Sequence, residues 1–335
     1  MQTGLRDDLT IVLMSATLSV DFLKNKFEHA AVLKSEGRSF PVEVSYHPLK
    51  ASVTSSKRSH FHAWRDHAVS VITKTLATHQ GSVLVFLPGS GDIHYLAEQL
   101  EHTIPDQFQL APLFGDLSLA KQQQAILAPT SGYKVVLATN IAETSLTIDG
   151  INLVIDCGLE KVASFDNQSL TNKLNQQAIA KASATQRAGR AGRLMSGHCI
   201  RLYDQEEYAR RNSHRVSEIM QTDLQPVLIE AARWGVTALS QLPLLELPPV
   251  AMEQQAWQAL TDLAIVDGKR KLTEHGKQVA AFPCHPRYAH MIVAAATIEQ
   301  NHQQENYTLL ACLVAALLEE RDVFSREQAE RNIDL

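Results

Sequence analysis

Cysteine is scarce: Cys157, Cys199, Cys284 and Cys312 are scattered over 335 residues, with no C-x-x-C and no paired spacing. That scatter argues against a disulfide framework or a zinc site, and predicts reduced, mostly buried thiols. The histidines are no better organised. His60-Phe61-His62 stand together, but no H-E-x-x-H occurs, so no metal ligands are expected. No signal peptide opens the sequence, and no apolar run approaches a membrane span. The longest run, near Leu309 to Leu318, has helical spacing and ends in Glu319-Glu320-Arg321. A cytoplasmic protein with no membrane contact is the expectation. Internal repeats and low-complexity segments are missing as well. Nor is there an excess of positive charge: the net charge is -5, so the surface as a whole cannot coat nucleic acid and any polyanion site must be local.

One such site is visible. Between Lys173 and Arg215, nine lysines and arginines face only Asp204, Glu206 and Glu207. Within it, Gln186-Arg187-Ala188-Gly189-Arg190-Ala191-Gly192-Arg193 sets arginine at a three-residue pitch. Gln186/Arg187, Arg190 and Arg193 are therefore expected on one face of a helix. Gly189 and Gly192 each cost a helix interior up to about 1 kcal/mol relative to alanine. A merely solvated basic face has no need of them, whereas small residues let a ligand come close. The planar guanidinium matches phosphate oxygens, and a neighbouring glutamine can orient a water in phosphoryl transfer.

Along the chain, Leu9 to Met14 is a β-rich apolar run of the kind buried in a parallel sheet. A helix-like segment with Phe22, Leu23 and Phe27 follows it, and Gly37 to Pro41 reads as a linker. From about Val42, strand and helix alternate. Strands are expected at Val83 to Leu87, Leu110 to Phe114, Lys134 to Ala138 and Leu153 to Asp156, and helices through Trp64 to Leu76, Ile93 to Leu100 and, N-capped by Ser118, to Leu127. Such alternation means a parallel sheet with helices on both faces, with ligands bound beyond the carboxyl ends of the strands. Val162 to Phe165 and Leu174 to Ile179 are expected to pair as a hairpin, and Gly197 to Tyr203 to return as a strand. Beyond Tyr203 the pattern turns helical, apart from a tight turn at Val266 to Leu272 that looks like the wing of a small winged-helix unit.

The order of Ser15-Ala16-Thr17, Val83 to Gly89, Ala138-Thr139-Asn140-Ile141-Ala142-Glu143-Thr144-Ser145-Leu146-Thr147-Ile148-Asp149-Gly150, and Gln186 to Arg193 closely resembles the second motor lobe of the DEAH-box (superfamily 2) RNA helicases. The resemblance covers nearly the whole chain and implies a RecA-like α/β lobe. A mostly α winged-helix and helical ratchet-like tail would follow it. The expected boundaries are 1–40 for the end of a first lobe and linker, 41–204 for the second RecA-like lobe, 205–272 for the winged-helix-like domain and 273–335 for the start of the ratchet-like domain. The resemblance also implies roles. Arg190 and Arg193 would be arginine fingers on the ATP γ-phosphate, Gln186 would position the attacking water, and Thr147 and Asp149 would lie against the ribose side of the nucleotide. Ser15 and Thr17 would couple nucleotide state to lobe movement. Gly89, Thr139, Asn140 and Ser145 would hold the backbone of single-stranded or partly duplex RNA, with DNA as an alternative strand.

Two signatures of such motors are absent: no G-x-x-x-x-G-K-[ST] and no D-E-x-H occurs. The phosphate-cradling loop and the Mg²⁺-holding carboxylates are therefore expected in a missing first lobe. By itself the chain is expected to be silent as an ATPase, though part of an ATP-dependent 3′-to-5′ helicase. A non-catalytic RNA-binding module with a degenerate motor is the alternative. Two positions depart from the family pattern. Leu127 stands where an aromatic commonly meets adenine, and His285 stands where an acidic residue is usual.

Overall fold

Short runs of valine, leucine and isoleucine lie at the centre of the first half of this computed structural model. The structure describes residues 8–14, 23–24, 27, 30–33, 40–49, 57–144, 146–166, 171–301 and 306–319. Among these the strands are β1 (Val42–Tyr46), β2 (Ser82–Phe86), β3 (Phe108–Leu113), β4 (Tyr133–Ala138), β5 (Ile151–Asp156), β6 (Leu159–Asp166), β7 (Thr171–Ala178) and β8 (Gly197–Arg201). Six of them form one sheet in the order β1-β8-β5-β2-β4-β3, every neighbouring pair parallel. β6 and β7 pair separately as the expected hairpin.

Alternate residues serve opposite faces. Val83, Val85, Val135, Leu137, Leu153 and Ile155 pack with Ile72 and Leu76 of α1 (Lys57–Leu76) and with Ile93 and Leu96 of α2 (Ser90–Leu100). Leu84, Phe86, Val136, Ala138 and Val154 pack with Ala125 of α3 (Leu119–Ile126) and Ala188 of α4 (Lys181–Gly189). Burial on both faces explains why the strands read as unbroken apolar runs rather than as alternating ones. Ser118 stands at the N-cap of α3 as expected, but no side-chain capping bond forms there.

The expectation for Leu9 to Met14 is not met. These residues form no strand, and Val12 and Met14 are 68% and 87% exposed. A strand exists only through a ladder of hydrogen bonds to a neighbouring strand, and residues 9–14 take part in no such ladder. Ser15 and Thr17 lie outside the described residues, as does most of the segment around Phe22.

The chain divides into two compact units, one of Met1–Asp166 with Asn172–Val216, the other of Asn167–Thr171 with Ser217–Leu335. After α5 (Gln205–Arg210), the second unit is built from α6 (Gln225–Arg233), α7 (Val250–Asp262), α8 (Glu274–Val279), α9 (Pro286–Asn301) and α10 (Tyr307–Glu319). Leu228, Leu239, Trp257, Leu260 and Ile265 form its main core. Val266 and Leu272 make an antiparallel bridge, across a turn in which Asp267 accepts the amides of Lys269 and Lys271. His285 acquires a structural role here: its Nε2 lies 2.9 Å from the Asp223 carboxylate, which Arg287 also approaches at 3.2 Å.

Leu84, 1% exposed at the centre of the sheet, tests the core. Leu84→Ala is expected to cost about 2–5 kcal/mol in urea unfolding. The second unit carries a pH signature. Burial alone would raise the Asp223 carboxyl, but hydrogen bonds from His285 and the Gln225 amide, with the nearby charges, hold it below its usual value. A lowered carboxyl adds stability above its unfolded value and loses it as pH falls through the folded one. Asp223→Asn is therefore expected to flatten the loss of stability of this unit between about pH 5 and pH 2, read from thermal melts.

Candidate functional site

The glutamine–arginine segment does not form the single stripe that its spacing predicts. Helix α4 ends at Gly189, Arg190 occupies the C-cap, and Arg193 lies beyond it. Each arginine meets a different environment. Arg187 points into the protein and is fully buried, with Nε 3.3 Å from Glu143 Oε2 and Nη1 2.8 Å from Asp156 Oδ1. Its guanidinium lies 4.8 Å from the centre of the Phe86 ring. Burial by itself would lower its pKa, but the charges of Asp156 and Glu143 more than offset this and raise it. Asp156, at the end of β5, also accepts the Tyr203 hydroxyl at 3.1 Å and the Gly158 amide at 2.9 Å.

Arg190 is buried too, but among carbonyls. Its Nε donates to Glu143 O at 3.1 Å, and its terminal nitrogens to the carbonyls of Glu143, Thr144 and Leu146. Burial, then the charge of Arg193, lower its pKa to about 10, which leaves it charged at neutral pH. Arg193 is exposed and donates to Thr147 Oγ1 at 2.6 Å. Gln186 is half-buried on α4. Gly192 makes room for the chain itself rather than for a ligand: a Cβ there would stand 2.5 Å from the Phe40 carbonyl, and the Phe40 amide donates to Gly192 O at 2.9 Å.

The expected strand-end residues gather elsewhere. Gly89 follows β2, and Thr139 and Asn140 follow β4. β2 and β4 are parallel neighbours, so all three lie at one end of the sheet. Thr139 is half-buried, and its amide donates to Leu113 O at 3.2 Å. Asn140 is exposed. The ammonium of Lys161, from β6, sits over Gly89, where a Cβ would come within 2.6 Å of it. Thr147 and Asp149 are exposed in the loop that leads to β5. Ser145 lies outside the described residues. The structure thus joins Arg193 to Thr147, and Arg190 to the loop at 143–146. Leu127 is 63% exposed.

Sequence reasoning missed the charged network beneath. Glu143 is buried between Arg187 and Arg215. Arg215 also reaches Glu160, on β6, at 2.7 Å. The signal was present: Asp156 ends an apolar strand and Glu143 follows another, and a charge enclosed by such runs requires a partner. Among the described residues no group of three or more His, Cys, Asp or Glu could hold a metal ion. No helix among them is long and apolar enough to cross a membrane.

Residues 66–195 match the helicase conserved C-terminal domain family. The chain is 44% identical to the ATP-dependent RNA helicase HrpB of Escherichia coli, over 96% of this chain and 38% of that protein. It is 32% identical to E. coli ATP-dependent RNA helicase HrpA, over 87% of this chain and 22% of that protein. A crystal structure of the E. coli DEAH/RHA helicase HrpB superposes with a TM-score of 0.85 at 41% identity, covering 96% of this chain and 39% of that one. The chain therefore spans well under half the length of the relatives it matches.

The contrast between the arginines is measurable as stability. Arg187→Ala leaves buried Asp156 without its cation and Glu143 with Arg215 alone, and is expected to cost about 3–5 kcal/mol. Arg193→Ala, at an exposed side chain, is expected to stay within about 0.5 kcal/mol. Chemical denaturation of the two variants checks both.

Proposed function

We propose, from the chain's match to the helicase conserved C-terminal domain and its similarity to DEAH/RHA helicases, that it is the second motor lobe and associated helical domain of an ATP-dependent 3′-to-5′ RNA helicase. On this reading it contributes the arginine half of a composite ATP site, the other half being the lobe that carries the phosphate-binding loop and the Mg²⁺ ligands. The observation that carries the reading is the pairing of exposed Arg193 with Thr147, next to Arg190 at the end of α4. An exposed, always-charged guanidinium can reach an anion brought from outside the lobe, and its planar fork suits phosphate oxygens. Gln186 would position the attacking water, and Asp149 would lie beside Thr147 near the ribose.

The residues present fit a nucleotide triphosphate in their donor chemistry. When bound, the nucleotide supplies the phosphoryl group that is transferred to water. The part of this chain is to hold positive charge where negative charge spreads in the transition state. Arg190 differs from Arg193 in that its guanidinium is occupied by carbonyls of the 143–146 loop. It therefore acts as a finger only after exchanging those bonds for phosphate oxygens. Fingers carried on a separate lobe act only when the lobes close, which couples hydrolysis to movement.

Gly89, after β2, and Thr139, Asn140 and Ser145, in the segment after β4 whose carbonyls hold Arg190, form the proposed RNA-backbone contact. Contacts to phosphate rather than to bases give sequence-tolerant, salt-sensitive binding, as a translocating motor requires. The turn at Val266–Leu272 is the proposed wing of a winged-helix-like domain over 205–272, with the ratchet-like domain beginning at 273. The proposed compartment is the cytoplasm. A non-catalytic RNA-binding module is the competing reading, and the exposed Arg193–Thr147 pair speaks against it, since an RNA binder has no use for a finger.

The test joins this chain to a lobe that bears the phosphate-binding loop and measures ATP hydrolysis with and without single-stranded RNA. Arg193→Ala and Arg190→Ala are each expected to cut RNA-stimulated turnover by about 10³–10⁵ while nucleotide binding changes little. Undiminished turnover removes the finger assignment. RNA binding with no hydrolysis even in the unmutated protein hands the case to the binding module.

A further inference from the structure

Arg215 joins two carboxylates, one in the loop of the proposed RNA contact and one on the hairpin. Its Nη2 lies 3.0 Å from Glu143 Oε2, in the loop after β4, and 2.7 Å from Glu160 Oε2, on the first strand of the hairpin. Both carboxylates are 3% exposed, whereas the Arg215 side chain is 43% exposed. Glu143 has a second cation in Arg187. For Glu160, Arg215 is the one ion-pair partner among the described residues, and its Oε1 is buried without a hydrogen bond.

The arrangement is mechanically asymmetric. Through Arg187, Glu143 is tied to the sheet, and its carbonyl holds Arg190. Glu160 follows Leu159, whose carbonyl accepts from Arg187 Nη1 at 3.3 Å, and precedes Lys161, whose ammonium sits over Gly89. A shift of the loop that moves Glu143 must therefore drag Glu160 through Arg215, part Arg215 from Glu160 and leave that carboxylate buried without its cation, or part Arg215 from Glu143, which then keeps only Arg187. The second course is the costliest, since breaking a buried charge pair leaves a carboxylate uncompensated, and the third gives up one of the two cations of buried Glu143. Arg215 is also the penultimate residue of the first compact unit, so the link is anchored in the segment that leads into the second.

We propose that Arg215 is a positioning residue: it transmits the placement of the 139–146 loop to the hairpin strand β6, so that RNA gripped at the loop also orders the hairpin. This rests on the reading of that loop as an RNA contact. Arg215 itself need touch neither RNA nor nucleotide.

The experiment is amide hydrogen exchange of this chain with and without a single-stranded oligouridylate, alongside fluorescence-anisotropy binding. In the native chain, RNA is expected to slow exchange in residues 139–144 and also across Leu159–Asp166. In Arg215→Ala and in Glu160→Gln the first protection is expected to persist, while the second falls at least several-fold. Arg215→Lys, which keeps the charge, is expected to restore it in part. The double variant Glu160→Gln/Arg215→Ala separates coupling from plain charge balance. It removes the uncompensated carboxylate, so its melting temperature is expected to recover while the hairpin protection stays lost.

Recovery of hairpin protection in the double variant, or native protection in Arg215→Ala, overturns the proposal and leaves the RNA reading intact. Failure of the native chain to bind the oligonucleotide overturns the RNA reading and the proposal together.

Discussion

A fully buried arginine between two buried carboxylates is the constraint on which the rest of the first unit depends. Arg187 joins α4 to the end of β5 through Asp156 and to the loop after β4 through Glu143, and its guanidinium lies against Phe86 of β2. Three neighbouring pieces of the sheet are thus referred to one side chain. Each of the three charges would be prohibitively costly alone at that depth, so the geometry stands or falls as a set. Since Glu143 also gives its carbonyl to Arg190, the buried pair fixes the place from which a residue proposed for chemistry must work.

The doubly buried sheet supplies the stiffness behind that arrangement. With β2, β4 and β5 covered by helices on both faces, the strand ends have little freedom to move. The loop after β4 inherits a defined starting point at Thr139, whose amide is held by Leu113. Precision at the loop is in this sense a product of core packing. The loop needs no regular structure of its own beyond the short turn at Asn140–Ala142.

Much of this was legible in the sequence, and the misses have a common physical origin. Apolar runs at Val83 to Leu87, Lys134 to Ala138 and Leu153 to Asp156 announce buried parallel strands because burial on both faces leaves no polar alternation. The hairpin and the helices of the second unit were readable from periodicity in the same way. Pairing is not legible from one strand: Leu9 to Met14 has the composition of a strand but joins no sheet among the described residues. Nor does spacing decide direction. Arg187, Arg190 and Arg193 share a pitch of three, yet the helix stops at Gly189, and the three side chains end in a salt-bridge network, a carbonyl cage and solvent. Which arginine goes inward was set by Asp156 and Glu143, residues far from it in sequence. The room left by Gly192 is taken up by Phe40, a contact that no local pattern encodes.

The separation of the arginines bears on how half of the proposed composite site survives on its own. A cation destined for phosphate must not, when phosphate is absent, collapse onto the nearest carboxylate, because a buried salt bridge would then have to be broken at each encounter. Here the carboxylates are already committed: Asp156 to Arg187, and Glu143 to Arg187 and Arg215. That leaves neutral carbonyls for Arg190 and a neutral hydroxyl for Arg193. Bonds from a cation to neutral acceptors are weaker than bonds to a charged oxygen, so a phosphate meets less competition for these guanidiniums than a carboxylate partner would offer. Arg187 and Arg215 therefore serve the proposed fingers without touching any ligand, by occupying the carboxylates that would otherwise compete for them.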